Sequence, residues 1–263
     1  MSARLAILAA LTIGLVTCDQ SQGPGHPPAK TPPGSSTSAS GFVPSKNGFA
    51  FANNFPGAPL PTFLSSSGPT DPKSAFGLCG GMSAAAADYF VAGLALPRER
   101  ALPERGSTLY EYLFLRQAQS FGPGLATALK FADWTMKPDA ELGTLTLREL
   151  DTLERALKEH PAVPIGLIIA RPNGPPGARN ISDNHQVLAL AMTREDQVAT
   201  ISIYDPNYPN DDGVKIILGL MSEKQPAGIR NRPKGRSTLI RAVFVLPYEP
   251  ATPPRANSVT PPQ

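Results

Sequence analysis

The chain is predicted to be an α+β protein in which a helical amino-terminal half packs against a carboxy-terminal antiparallel sheet. Apolar residues recur at helical spacing from about residue 80 to residue 159. From Val163 on, the period changes to β-branched and apolar runs separated by turn signals. Both ends are rich in Gly, Pro and Ser, which leaves about 200 residues for one domain with one sizeable core.

Taken in order, residues 1–18 read as an export signal. Arg4 and the amino terminus supply positive charge, and Leu5 to Val16 is apolar apart from Thr12 and Gly14. That run is shorter than the ~20 apolar residues a permanent span needs. Leu15-Val16-Thr17-Cys18 resembles the lipobox of bacterial lipoproteins, in which the cysteine is diacylated and becomes the new amino terminus. Thr17 stands where Gly, Ala or Ser is usual. Two outcomes stay open: lipidation at Cys18 with anchoring to the cell envelope, or a cleaved and secreted form. Residues 19–45 (Gly23-Pro24-Gly25, Pro32-Pro33-Gly34-Ser35-Ser36) read as a disordered tether reaching roughly 30 Å, and residues 248–263 as a disordered tail. The folded domain is then 46–247.

Four helices are expected inside it. An alanine-rich run from 80 to about 95 is stopped by Pro97. Leu109, Tyr112, Leu113 and Arg116 mark a second helix. Leu125, Leu129 and Ala132 or Asp133 mark a third, ending near Lys137-Pro138. Thr146-Leu147-Arg148-Glu149 has the pattern of a capping box and opens a fourth, with Leu150, Leu153 and Leu157 near one face; His160-Pro161 ends it.

Strands follow at Val163–Ala170, His185–Met192, Val198–Asp205, Lys215–Leu220 and Leu239–Leu246. If Thr193 to Gln197 form a five-residue hairpin loop, Met192 faces Val198 and His185 falls directly opposite Asp205. Cross-strand Cβ atoms are then about 5 Å apart, close enough for a carboxylate to hold an imidazole. His185, Val187, Ala189 and Ala191 would share a face with Asp205, Ile203, Ile201 and Ala199. A four-residue loop would instead put Tyr204 opposite His185 and turn every side chain over.

Those two residues matter because of Cys79, at the start of the first helix in Gly77-Leu78-Cys79-Gly80-Gly81-Met82. The chain has two cysteines, and after export Cys79 is the one left in the folded part. A helix amino terminus favours thiolate over thiol. Cys79, His185 and Asp205 in that order resemble the papain-like cysteine peptidase superfamily, in which a Cys opens the central helix and a His on the following sheet is oriented by an Asn or Asp. His185-Gln186-Val187-Leu188 with Ile203-Tyr204-Asp205-Pro206 is most similar to the bacteriocin-processing, double-glycine-cleaving branch and its relatives. The resemblance covers roughly residues 70 to 246. It implies a papain-like fold and an exported cysteine peptidase or acyl-transferring thiol hydrolase acting on peptide. It also implies that Cys79 is the nucleophile, His185 the general acid and base, and Asp205 the orienting group. A non-catalytic peptide-binding domain of the same outline and a structural envelope lipoprotein are the alternatives.

Two features depart from that pattern. The superfamily places a Gln about six residues before the Cys to bind the oxyanion, and here Lys73 stands there. Asn53 and Asn54 could supply an amide instead, with Asn54 taken as the candidate. Gly80-Gly81 replaces larger residues, and since Gly costs about 1 kcal/mol per helical position relative to Ala, something must approach that backbone closely. Asn207 is the rival orienting residue.

Other chemistry is poorly supported by the sequence. A formal charge of +3 gives no reason to expect nucleic acid as a partner. Lys224, Arg230, Arg232, Lys234, Arg236 and Arg241 form a local basic run, read as a solvated loop, with contact to an anionic envelope surface as the minority reading. Of the three histidines, His26 lies in the tether and His160 at a helix end; no local metal-ligand pair occurs, and Asp205 to Gly213 lacks the Gly and Glu of a calcium loop. No cofactor or metal is expected. The expected partners are a peptide or protein substrate and, through Cys18, a membrane, with the chain a monomer.

Overall fold

The sheet of the carboxy-terminal half is covered by helices on both faces, with one of them buried along most of its length. The structure, a computed structural model, describes residues 36–37, 41–56, 75–170, 181–220, 228–231 and 235–255, all within one compact unit, Pro33–Gln263. The export signal and Cys18 lie outside the described residues. Among the described residues no helix is long and apolar enough to cross a membrane.

A short helix α1 (Pro44–Asn47) leads into a two-stranded ribbon, β1 (Phe55–Pro56) with β2 (Ala75–Phe76), directly ahead of α2 (Cys79–Val91). Helix α2 is buried without a break from Gly80 to Tyr89, so its sequence shows small residues all round rather than an apolar stripe. It is covered on one side by α3 (Thr108–Ser120), whose first turn is capped by Ser107 accepting from the Tyr110 N–H, and on the other by the sheet. Helices α4 (Ala126–Met136) and α5 (Asp139–Glu159) complete the helical half.

Seven antiparallel strands make the sheet: β3 (Val163–Ile168), β4 (His185–Glu195), β5 (Val198–Tyr204), β6 (Lys215–Gly219), β7 (Gly228–Asn231), β8 (Thr238–Ile240) and β9 (Ala242–Val245). Their spatial order is β8-β7-β6-β5-β4-β3-β9. Since Arg241 alone separates β8 from β9, the sheet curls until its two outer strands are consecutive in the chain. One face of it packs Ile165, Leu167, Val187, Ile201, Ile203 and Ile216 against Leu150, Leu153 and Leu157 of α5. On the other face Leu188, Leu190 and Tyr204 pack against α2, and Phe244 against Phe131 and Trp134 of α4.

Several expectations are corrected. Thr146 and Glu149 do not cap a helix, because α5 has already begun at Asp139. Instead Thr146 Oγ1 accepts the Val243 N–H at 3.4 Å and Glu149 Oε2 the Val245 N–H at 2.9 Å, so α5 closes the outward edge of β9. Helix α4 forms where expected but with the opposite face inward. Phe131 and Trp134 are buried while Leu125, Leu129 and Met136 are exposed, because two aromatic rings bury more area against Phe244 than two leucines would. The supposed tether and tail both contribute. The Thr37 N–H bonds the Met192 carbonyl and Phe42 is in the core. Tyr248 and the Ala251 N–H bond Asp88 Oδ1 at 2.8 and 2.9 Å, which draws residues 248–251 onto α2 because a carboxylate buried that deeply needs donors. Two members of the basic run are not solvated. Arg230 lies on β7, a strand the sequence reading missed, and Arg230 and Arg241 are buried. Arg241 binds Asp139 and the carbonyls of Thr135, Lys137 and Ala170. Arg236 is exposed, and Lys224, Arg232 and Lys234 lie outside the described residues.

Candidate active site

Four N–H groups at a helix start have no partner within the helix, and at α2 their fates define a site. The Leu78 N–H donates to Asn53 Oδ1. The Gly80 N–H lies against the Cys79 sulfur and favours its thiolate. The Gly81 N–H donates to Gln117 Oε1 at 3.0 Å. The remaining one, on Cys79 itself, has no partner among the described residues. It sits beside the one thiol that the structure describes, which is partly exposed.

The two glycines after Cys79 admit this arrangement. A Cβ on Gly80 would lie 2.3 Å from Gln186 Oε1 and 2.4 Å from Ser120 Oγ; one on Gly81 would lie 2.1 Å from the Leu113 carbonyl oxygen. Helix α3 and strand β4 therefore press against the first turn of α2 at a distance only glycine allows. That is the close approach that two glycines in a first helical turn call for.

His185, the first residue of β4, is 5% exposed, and its Nε2 lies 2.7 Å from Asp205 Oδ1. The two are together by a different register from the one anticipated. The β4–β5 turn is tighter than five residues: Glu195 pairs with Val198 across Asp196 and Gln197, with Asp196 in the left-handed region (φ 49°). Alone, that turn would reverse the faces. A bulge between Ala189 and Ala191 inserts one residue, and beyond it Leu188 pairs with Tyr204, so the parity is restored. Asp205 then comes level with Val187, and His185 is its diagonal neighbour on the same face, within reach of a long side chain. Met192, not Ala191, joins that face below the bulge.

Asp205 is 1% exposed and fully engaged. Oδ1 also accepts the Asn207 N–H at 2.9 Å, and Oδ2 accepts from Arg230 Nη1 at 3.1 Å. Asn207 therefore does not orient His185; its side chain turns the other way, where Asn207 Oδ1 accepts from Asn53 Nδ2 at 3.0 Å. The Asn53 N–H donates to the Pro206 carbonyl at 3.0 Å. Asn53, not Asn54, is the amide beside the nucleophile; Asn54 is exposed and its N–H turns back onto Ala52. The reason is alternation, since Phe51 and Phe55 enter the core and fix which asparagine faces α2. A closed circuit results: Cys79 to His185, to Asp205, to Asn207, to Asn53, to Leu78, and back along the chain to Cys79.

With Nε2 on Asp205, the nitrogen left to face Cys79 is Nδ1, and the thiol and imidazole are near enough to shift one another's ionisation. Burial opposes ionisation of the thiol. The His185 hydrogen bond and charge, with the N–H groups of Gln186 and Gly80, overcome it and hold Cys79 below its ordinary value. Burial likewise opposes the imidazolium, but Asp205 and then Cys79 raise His185 to about 9. Asp205 resists the desolvation of its own charge through His185, Arg230 and the Asn207 N–H, and stays below the usual carboxylate range. Both shifts favour the thiolate–imidazolium pair.

The other candidates lie elsewhere. His160 closes α5 and is exposed. In the stretch Asp205 to Gly213, Asp211 accepts the Gly213 N–H and Asp212 holds Ser45 of α1. Among the described residues no three metal-binding side chains converge. A cavity of about 310 Å³ lies at the far end of α2, between Tyr89, Leu102, Leu109 and Pro254, away from Cys79. Arg230 is the site residue that sequence reasoning missed, since only tertiary pairing of β7 brings it to Asp205. Comparison with protein-family models, curated proteins and solved structures finds no match.

Proposed function

We propose that this chain is a cysteine hydrolase or acyltransferase of the papain-like type, acting on peptide bonds through Cys79, His185 and Asp205. The observation that carries the proposal is the accounting at the start of α2. Leu78 and Gly81 commit their N–H groups to side chains, the Gly80 N–H favours the thiolate, the thiol lies beside an imidazole held by a buried carboxylate, and the Cys79 N–H has no partner among the described residues.

The chemistry follows from the residue types. The Cys79 thiolate attacks the acyl carbon, whose oxygen takes up the charge and is met by the Cys79 N–H and by the Nδ2 hydrogen of Asn53 that Asn207 does not use. His185 passes its Nδ1 proton to the leaving amine as the C–N bond breaks, leaving a thioester. Water then attacks the thioester, giving its proton to Nδ1; the thiolate leaves and the acid departs. An amine in place of water makes the same site an acyltransferase. The export signal and lipobox-like Cys18 support an envelope or secreted setting, with peptide from that compartment as substrate.

The reactive state exists above the lowered pKa of Cys79 and below the value near 9 of His185. Alkylation of Cys79 by iodoacetamide followed against pH tests this. A thiolate already reactive well below pH 8.5, with that reactivity lost in His185→Ala, is the expected result. An ordinary or raised thiol pKa in the wild type would sink the enzyme and leave a binding or structural protein.

A further inference from the structure

Arg230 is 6% exposed and comes from β7, three strands away from the strand of His185 in the sheet order. Its Nη1 lies 3.1 Å from Asp205 Oδ2, while Nη2 donates to the Tyr208 hydroxyl at 3.2 Å and to Thr238 Oγ1 at 3.3 Å. The guanidinium carbon stands 5.2 Å over the Tyr208 ring. Two hydroxyls and the Tyr208 ring thus aim one buried cation at the one carboxylate oxygen His185 does not use.

We propose that Arg230 is a positioning residue of the active site, taking Oδ2 of Asp205 so that Oδ1 alone orients His185 and the imidazolium stays able to release its proton. The inference rests on the hydrolase reading. Its physical basis is charge balance. Around His185 the titratable or charged groups among the described residues are Cys79 from α2, Asp205 after β5, and behind Asp205 the Arg230 guanidinium and the Tyr208 phenol; β3 presents Leu167. With Arg230 in place, thiolate, imidazolium, carboxylate and guanidinium sum to zero in a buried site. Without it Asp205 would have His185 as its only counter-ion, and the imidazolium would be bound too firmly to act as an acid. A carboxylate free to turn would also offer either oxygen to the ring. Arginine suits this place because its planar fork reaches the carboxylate and the two hydroxyls at once.

The test is the titration of the His185 imidazole by carbon-detected NMR, its signal assigned by loss in His185→Ala, in the full-length protein. Arg230→Gln should raise its midpoint by about one unit or more, the size expected for removing a near cation, while Arg230→Lys should move it less. A variant with an unmoved midpoint would overturn the proposal, since a purely structural arginine would change stability and leave the titration alone. Should Arg230→Gln not fold, Asp205→Asn and Asp205→Asn/Arg230→Gln make the same comparison with a neutral partner. The double variant should titrate about one unit higher than the single, and equal midpoints would again overturn the proposal. Failure of the hydrolase reading is distinguishable. It would show in the wild type, as a His185 titration that does not respond to Cys79→Ser.

Discussion

Asn53 shows how much a single amide can carry in this site. Its Oδ1 takes the Leu78 N–H, one Nδ2 hydrogen goes to Asn207, and its position beside Gly77 is so close that a Cβ there would lie 2.6 Å from Nδ2. On the proposed mechanism the second Nδ2 hydrogen meets the oxyanion, a donor worth about 10²–10³ in rate where it has been removed from other enzymes. Asn53→Ala should therefore slow acylation of Cys79 by p-nitrophenyl acetate about a hundredfold, read as the burst of p-nitrophenolate. Alkylation by iodoacetamide, which forms no oxyanion, should change less than about tenfold. Equal losses in both reactions would show that Asn53 only holds the turn. The choice of Asn54 over Asn53 failed because adjacency in the chain says nothing about which amide faces α2.

At the scale of elements, the first turn of α2 opposes two rules. Helix propensity alone predicts that Gly81→Ala would stabilise α2 by about 1 kcal/mol. Packing predicts the reverse, since the new Cβ would meet the Leu113 carbonyl of α3 at 2.1 Å and a backbone atom cannot step aside. Overpacking of this kind costs about 1–3 kcal/mol or more, so urea unfolding of Gly81→Ala should show net destabilisation. Gly80→Ala should cost less, because there the clash is with the side chains of Gln186 and Ser120. The opposite order would mean that α3 moves more freely against α2 than its contacts imply. The β4–β5 hairpin teaches a related lesson. Its tight turn and its bulge are each a one-residue change of parity, and together they return His185 to the face of Asp205.

Across the whole molecule, Asp88 joins parts of the chain that sequence places far apart. It is 1% exposed and accepts from Arg116 of α3, Tyr112, Tyr248 and the Ala251 N–H. A buried carboxylate with so many donors is satisfied only while all of them stay in place. Ending the chain after Pro247 removes two of those donors. Hydrogen bonds to charged groups are worth about 1.5–3 kcal/mol each, so the truncated protein should melt about 10 °C lower in a thermal scan. An unchanged melting temperature would show that the carboxy-terminal segment adds nothing to the fold.

By itself the sequence determined where the period turns from helix to strand and much of the sheet's core face, and it singled out Cys79, His185 and Asp205 as candidates for nucleophilic chemistry. Those are local properties: spacing along the chain and the chemistry of single residues. The α+β layout and most strands were legible for that reason, since periodicity survives whatever the partner. What only the tertiary structure decided is non-local. The buried face of α4 depended on Phe244 being there to receive Phe131 and Trp134, and the roles of Thr146 and Glu149 depended on β9 having an edge to close. Arg230 is the sharpest case: a cation in a Pro- and Gly-interrupted run reads as solvated, and becomes part of the site because β7 pairs beside β6 and turns its side chain to Asp205. Contacts between residues distant in the chain are set by which surfaces bury one another, and a one-dimensional pattern holds no record of that choice.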